Sequence, residues 1–111
     1  MNHYKFNECI EACNACAVAC NYCASSCLQE EDVKMMAHCI ALDIDCAQVC
    51  ALAAAVMARG SEHAKAVCTL CANICEACGA ECANHGMAHC QACAEACTAC
   101  ANECRQMASM A

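Results

Sequence analysis

The chain has 111 residues, enough for one domain with a modest core and too few for two. It carries 19 cysteines, no proline and a formal net charge of −7. The negative charge argues against binding to nucleic acid and against binding to anionic membrane surfaces, because both functions need basic patches. Residues 1–111 are therefore treated as a single domain, and the abundance of alanine favours helix throughout.

The sequence shows no signal for a membrane or for export. We find no run of about 18 apolar residues, so we expect no membrane span. The first residues, MNHYKFNECIEAC, lack a basic segment followed by an apolar stretch, so we expect no secretory signal peptide. These observations predict a cytoplasmic protein, in which thiols stay reduced. The odd number of cysteines also fits a complete disulfide framework poorly.

Four helices are predicted in chain order, at about 5–28, 32–58, 62–84 and 87–108. Their cysteines recur mostly at alternating steps of three and four residues, which keeps them on one face of a helix and would not do so on a strand. The cysteines of the first two helices are Cys9, Cys13, Cys16, Cys20, Cys23 and Cys27, then Cys39, Cys46 and Cys50. Those of the last two are Cys68, Cys71, Cys75, Cys78 and Cys82, then Cys90, Cys93, Cys97, Cys100 and Cys104.

The predicted connections are short and contain residues that end or begin helices. Asp32 is placed to cap the second helix. Gly60 is expected to end that helix and Ser61 to cap the third, while residues 84–86 are expected to form a left-handed stop. Because short connections make neighbouring helices antiparallel, we predict an all-α, up-down-up-down four-helix bundle with a cysteine-lined core.

A core made of thiols needs an explanation beyond packing. Cysteine is a small buried hydrophobe, but each methylene that it lacks relative to leucine costs about 0.8 kcal/mol of burial. Disulfides between cysteines four residues apart on one helix would be strained. A soft metal is the remaining occupant, and thiolates select Cu(I), zinc or iron–sulfur clusters.

Among these metals the pattern favours Cu(I). Zinc prefers separate tetrahedral sites, whose Cys-x-x-Cys ligand pairs typically lie in turns. Iron–sulfur ligation needs loops that wrap around a cluster. In contrast, two cysteines one helical turn apart, with Cβ atoms about 5–6 Å from each other, can close on one Cu(I) ion. All 19 cysteines are therefore candidate ligands for multiple Cu(I) ions. A zinc or cadmium buffer and a dithiol redox protein stay open as alternatives.

The chain resembles the cytosolic branch of the bacterial copper storage proteins. The resemblance rests on the cysteine pairs of all four helices, on CIALDIDCAQVC at 39–50, and on CTLCANICEACGAEC and CQACAEACTACANEC in the last two helices. It implies a bundle filled with Cu(I) and assembled as a homotetramer. The apolar second helix is consistent with a subunit interface. Asp43 departs from the pattern, since a further inward cysteine would be expected there; we expect its carboxylate to hydrogen-bond a neighbour.

One end of the predicted bundle gathers imidazoles and thioethers around the cysteines. Met35 lies four residues before Cys39, and His85 three after Cys82, so both are nearly in phase with the cysteine stripes. Such groups bind Cu(I) without losing a proton at neutral pH. We therefore predict that His85, His89 and Met35 belong to the metal site and admit copper. At the other end, Phe6, Met57 and Met107 are expected to form an apolar plug.

Together these features predict storage and buffering of Cu(I), which protects against copper toxicity or supplies copper. The sequence contains no Ser/His/Asp arrangement, phosphate loop or open metal site, so we predict that the protein is not an enzyme. A copper chaperone or exporter is the candidate partner that would deliver or remove the metal.

Overall fold

The computed structural model describes residues 6–110 and contains four antiparallel α-helices in that range. The helices are α1 (Asn7–Cys27), α2 (Ala37–Ala58), α3 (Ala64–Ala83) and α4 (Ala88–Ala108), and a 3-10 helix (Val33–Met36) precedes α2. The bundle measures 49 × 18 × 18 Å. Both α1 and α3 pack against α2 and α4, as in a square arrangement. The predicted fold class is confirmed; residue 5, the predicted start of the first helix, lies outside the described residues.

The cysteines line the core on all four helices. All 19 thiols are free and buried, and only Cys9, at 4%, retains any exposed surface. Alternating steps of three and four residues average 3.5, close to the 3.6 residues of a helical turn, so each stripe stays on the inner face along its helix. The predicted cysteine-lined core is confirmed.

The connection between α2 and α3 begins with the predicted glycine. Gly60 has a φ of 65°, and the N–H groups of Gly60 and Ser61 donate to the carbonyl oxygens of Met57 at 3.0 Å and Val56 at 2.9 Å. This pair of bonds is the Schellman arrangement that ends many helices. The expectation that Ser61 caps α3 is wrong, because His63 occupies the N-cap position. The Ser61 hydroxyl instead accepts from the His63 N–H at 3.0 Å within the turn.

The predicted left-handed stop at 84–86 is also wrong. Within residues 6–110, Gly60 alone has a positive φ. The connection from α3 to α4 is held instead by Gln91, whose Nε2 donates to the carbonyl oxygens of Ala83 at 3.3 Å and His85 at 2.6 Å. A side chain from the following helix thus satisfies carbonyl oxygens at a connection that has no left-handed glycine.

The start of α2 differs from the prediction in its winding. Asp32 caps this segment as expected, with its Oδ1 accepting from the Met35 N–H at 3.4 Å, but residues 33–36 form a 3-10 helix. Because that helix has three residues per turn, each residue adds about 20° of rotation relative to an α-helix. Met36 is consequently buried, while Met35 is 61% exposed. The expected inward phase of Met35 is therefore wrong.

Two helical segments, Val33–Ala58 and Ala64–Ala83, are apolar enough to cross a membrane by length and composition, with mean hydropathies of 1.8 and 1.2. The first segment contains Asp43 and Asp45 and the second contains Glu76 and Glu81, so neither is an uninterrupted run of about 18 apolar residues; their mean hydropathy is high because alanine and cysteine are apolar. Half of the first apolar window and 39% of the second are buried inside the bundle. A core helix meets the same criterion, so the observation is weak support for a membrane span.

The two ends of the bundle differ. Phe6, Met57 and Met107 are buried at the end where α1 begins and α4 ends, as predicted. At the opposite end, α1 and α3 finish beside the starts of α2 and α4, and the largely buried side chains of His85 and His89 lie there. We call this second end the mouth of the bundle.

Candidate metal centre

The thiols between the end opposite the mouth and Cys93, which we call the inner thiols, form a continuous series of contacts. Neighbouring Sγ atoms lie 3.5–3.9 Å apart from Cys9 to Cys93, across all four helices. The members in order along the axis are Cys9, Cys104, Cys13, Cys100, Cys50, Cys46, Cys16, Cys97, Cys20 and Cys93, with Cys71 and Cys75 beside them. A soft ion bound to any of these thiols therefore has further sulfur ligands within reach.

The thiols gather in groups that could each surround an ion. These groups include five in which the four Sγ atoms all lie within 4.8 Å of one another. These five groups are Cys13, Cys71, Cys100 and Cys104; Cys16, Cys46, Cys50 and Cys75; Cys16, Cys20, Cys46 and Cys97; Cys20, Cys78, Cys93 and Cys97; and Cys23, Cys27, Cys39 and Cys90. Several cysteines belong to two groups, so thiolates that bridge neighbouring ions suit the arrangement better than isolated sites.

Asp43 connects the inner thiols with those near the mouth. It is fully buried, and its Oδ1 accepts from the thiols of Cys78 at 3.2 Å, Cys82 at 3.4 Å and Cys93 at 3.4 Å. Its Oδ2 accepts from the Cys39 thiol at 3.8 Å. The prediction that Asp43 hydrogen-bonds a neighbour is confirmed, and the bonds reach α3 and α4 as well as its own helix.

Burial raises the pKa of Asp43 to about 8, since desolvation disfavours the charged carboxylate. The carboxyl group is consequently protonated in mildly acidic solution. Desolvation acts in the same direction on the thiols of Cys23, Cys39 and Cys90, and it raises the pKa of Cys90 to about 11. Without copper, these thiols are therefore neutral, and a metal ion must displace their protons to bind.

Replacing Asp43 with alanine should destabilise the copper-free protein. At pH 6 the carboxyl is uncharged, so its removal relieves no buried charge but leaves a cavity and takes the acceptor from up to four thiols. We expect the free energy of unfolding to fall by about 2–3 kcal/mol for Asp43→Ala and by less for Asp43→Asn, which keeps an oxygen acceptor. Urea unfolding of the reduced protein measures both, and equal stability of Asp43→Ala and wild type would contradict the structural role.

At the mouth, His89 points into the thiols. Its Nδ1 lies 3.5 Å from the Sγ atoms of Cys23 and Cys90 and 4.0 Å from that of Cys27. Its Nε2 lies 3.0 Å from Oε2 of Glu30, in the connection after α1. The predicted proximity of His89 to the thiols is therefore confirmed.

The second predicted histidine, His85, lies on the rim of the mouth. Its Nε2 is 2.8 Å from Oε2 of Glu81, whose other oxygen lies 3.0 Å from Nδ1 of His38. The hydrogen bond from His85 holds the pKa of Glu81 below its usual range. The structure thus brings His89 to the thiols and keeps His85 in a hydrogen-bonded pair outside them.

The sequence interpretation missed Glu30 and Glu81 near the mouth, and it put Met35 rather than Met36 in phase with the cysteines. Met36, rather than Met35, is the buried thioether here. Glu30 and Glu81 bind the two histidines, and both are common surface residues that give no motif. Only Glu81, four residues before His85, had a local signal, because residues at that spacing share a helix face.

The sequence of the chain matches a known protein family. A family model described as "copper storage protein" matches residues 2–109. The chain belongs to the copper storage protein family. The uncharacterised cysteine-rich protein YhjQ of Bacillus subtilis is 52% identical over 74 residues, which are 67% of this chain and 68% of that protein.

Solved structures of the family have the same fold. The Cu(I)-bound copper storage protein BsCsp3 matches with a TM-score of 0.90 and 51% identity, over 94% of this chain and 98% of that one. A cytosolic copper storage protein from Streptomyces lividans, solved with five coppers, matches with a TM-score of 0.94 and 41% identity, over 98% and 96% of the two chains. Family membership and the buried thiol groups together identify the function of this chain as storage of multiple Cu(I) ions.

Proposed function

We propose that the protein stores Cu(I) in the cytosol on the thiolates of all 19 cysteines, within one domain spanning 1–111, and that it catalyses no reaction. The observation that carries this proposal is the set of overlapping four-thiol groups in the core. The cytosolic description of the Streptomyces lividans relative supports the location. On this basis the stored copper is withheld from the cytosol and can be returned to it.

The overlap between groups favours Cu(I) over zinc. A tetrahedral zinc ion with Zn–S bonds of about 2.3 Å would fit one four-thiol group. Cys16 and Cys46 both belong to the same two groups, however, so separate zinc ions with four ligands each cannot fill both. Cu(I) accepts two or three thiolates and allows them to bridge, so it can fill adjacent groups at once.

An anaerobic titration of the fully reduced protein with Cu(I), in competition with a chromophoric Cu(I) chelator, tests storage. We expect tight binding to continue to roughly one ion per cysteine, because almost every core thiol has several sulfur neighbours. A parallel titration with zinc is the matched comparison. Saturation after only a few copper ions, with zinc competing on equal terms, would leave a zinc buffer as the better interpretation.

We further propose that copper is admitted at the mouth and passed from His89 to Cys23 and Cys90. Support comes from the 3.5 Å separations between Nδ1 of His89 and those two Sγ atoms. Imidazole and thioether groups carry no proton that Cu(I) must displace at neutral pH, unlike the thiols. His85 and Met36 complete the soft ligands of this end, and the exposed Met35 is a candidate first contact.

Replacing His85 and His89 together with alanine should slow copper loading without reducing the final capacity. The thiols that hold the metal are unchanged, while the ligands that pass it inward are lost. Stopped-flow mixing with a Cu(I)–chelator complex gives the loading rate, and the end point gives the capacity. The exposed His63, at the other end of the bundle, supplies a control in His63→Ala. A double variant that loads at the wild-type rate would remove the proposed route.

We also propose that the protein assembles as a homotetramer and exchanges copper with a chaperone or an exporter. Exposed apolar side chains on α1 and α2 support an interface between copies: Val18, Tyr22, Ile44 and Leu52. Burying such side chains against a second copy removes apolar area from water and favours association. The net negative charge gives no support to a nucleic-acid partner.

A further inference from the structure

We propose that Glu30 is a positioning residue for copper admission, which acts by fixing the tautomer and orientation of His89. The inference rests on the proposed role of His89 at the mouth. Glu30 belongs to the connection between α1 and the 3-10 helix, 59 residues away from His89 in the chain. No sequence motif links the two residues, and only the fold brings them together.

The geometry places His89 between a carboxylate and a cluster of thiols. Oε2 of Glu30 lies 3.0 Å from Nε2, on the outer side of the ring. Nδ1, on the inner side, lies 3.5 Å from the sulfurs of Cys23 and Cys90. The His89 side chain is only 13% exposed, and that of Glu30 is 33% exposed, so solvent competes weakly for this bond. Each ring nitrogen thus has its own partner.

The carboxylate decides which ring nitrogen carries the hydrogen. A carboxylate offers only acceptors, so Nε2 must be the protonated nitrogen that donates to Glu30. In neutral imidazole the other nitrogen then has a free lone pair. That nitrogen is Nδ1, which faces the thiols, so the atom able to bind Cu(I) points along the route into the core. Hydrogen bonds of this kind to metal-binding histidines also hold the ring orientation.

Glu81 provides an internal comparison at the same end of the bundle. It also binds the Nε2 atom of a histidine, His85, at 2.8 Å. Within residues 6–110, the hydrogen bonds of the His85 side chain and carbonyl go to Glu81 and Gln91, and none reaches a thiol. Removing either glutamate changes the charge of the mouth by the same amount. Only the loss of Glu30 frees the ring that faces the thiols.

The first experiment measures the tautomer of His89. Nitrogen-15 NMR of the reduced, copper-free protein at pH 7.5 distinguishes a protonated ring nitrogen from an unprotonated one. We expect a single tautomer with hydrogen on Nε2 in wild type and in Glu81→Ala, and a mixture of both tautomers in Glu30→Ala. If His89 keeps the same tautomer in Glu30→Ala as in wild type, the proposal is wrong, whatever the role of His89 in loading.

The second experiment measures loading of the same variants from a Cu(I)–chelator complex. We expect Glu30→Ala to load about 10-fold more slowly with unchanged capacity, at the low end of the 10- to 100-fold effects known for partners of metal-binding histidines. Glu81→Ala should lose less than Glu30→Ala, and Glu30→Gln, whose amide oxygen can still accept from Nε2, should recover part of the rate. Equal slowing by Glu30→Ala and Glu81→Ala would indicate a general charge effect and overturn the proposal.

A His89→Ala variant separates the route of copper through His89 from the positioning role of Glu30. If His89→Ala loads as fast as wild type, the proposed route through His89 fails, and with it the function of Glu30 in loading. The NMR measurement then still reports whether Glu30 sets the tautomer. If His89→Ala is slow and Glu30→Ala is not, the route stands and the positioning role of Glu30 is wrong.

Discussion

Loading with Cu(I) should raise the melting temperature of the reduced protein by at least about 20 °C. A ligand present at 1,000 times its dissociation constant stabilises the folded state by about 4 kcal/mol per site, and this bundle has many sites. About 1 kcal/mol corresponds to roughly 4–8 °C for a domain of this size. The groups of four thiols bring ligands from several helices together, so each bound ion also adds a direct link between helices.

Circular dichroism at 222 nm under anaerobic conditions measures this shift as copper is added in steps. Removal of the metal by a strong Cu(I) chelator should return the melting temperature to its starting value, which excludes oxidation as the cause. A melting curve that does not change between empty and loaded protein would contradict binding within the core.

Replacing Cys46 and Cys97 together with alanine should lower the copper capacity by more than the two thiols that are lost. Cys46 lies within 3.5–3.9 Å of the sulfurs of Cys16, Cys50, Cys75 and Cys97. At least one of the two replaced cysteines is present in three of the five four-thiol groups described above. Because neighbouring ions share these thiolates, each loss weakens more than one ion.

The variant needs a control for packing. Alanine in place of cysteine removes a buried sulfur and should cost about 1 kcal/mol of stability per site. Val56→Ala removes a comparable buried volume on α2 without removing a thiol. The control should therefore keep the full copper capacity, as measured by the chelator titration. A loss of two ions or fewer in the double variant would indicate independent sites, in disagreement with the shared thiols.

The helices and the cysteine-lined core were predictable because both follow from local spacing. A residue type repeated at alternating steps of three and four can share a face only on a helix, and 19 such residues define the inner faces of all four helices. Short connections then fix the antiparallel order. Gly60 and Asp32 gave correct local signals because a glycine with positive φ and an N-cap carboxylate act within a few residues.

The details of the mouth were not predictable, because they depend on contacts between distant segments. The inward phase of Met35 was wrong because a 3-10 turn precedes α2, and no local pattern distinguishes that turn from an α-helical one. The pairing of Glu30 with His89 joins the connection after α1 to the first turn of α4, 59 residues away in the chain. The hydrogen bonds that the thiols of Cys78 and Cys93 donate to Asp43 likewise need the complete bundle.

The buried residues of the core have a consequence for charge balance. Among residues 6–110, Asp43 is the only acidic or basic residue that is fully buried, and its raised pKa favours the neutral carboxyl; no Lys, Arg or His is fully buried beside the thiols. Placing net charge in an interior of low polarity is costly, so the core must stay close to electrically neutral at every stage of filling. Each thiol that holds no copper therefore keeps its proton, and each Cu(I) ion that enters displaces one proton from the core. Counting protons released at constant pH would count the copper ions taken in.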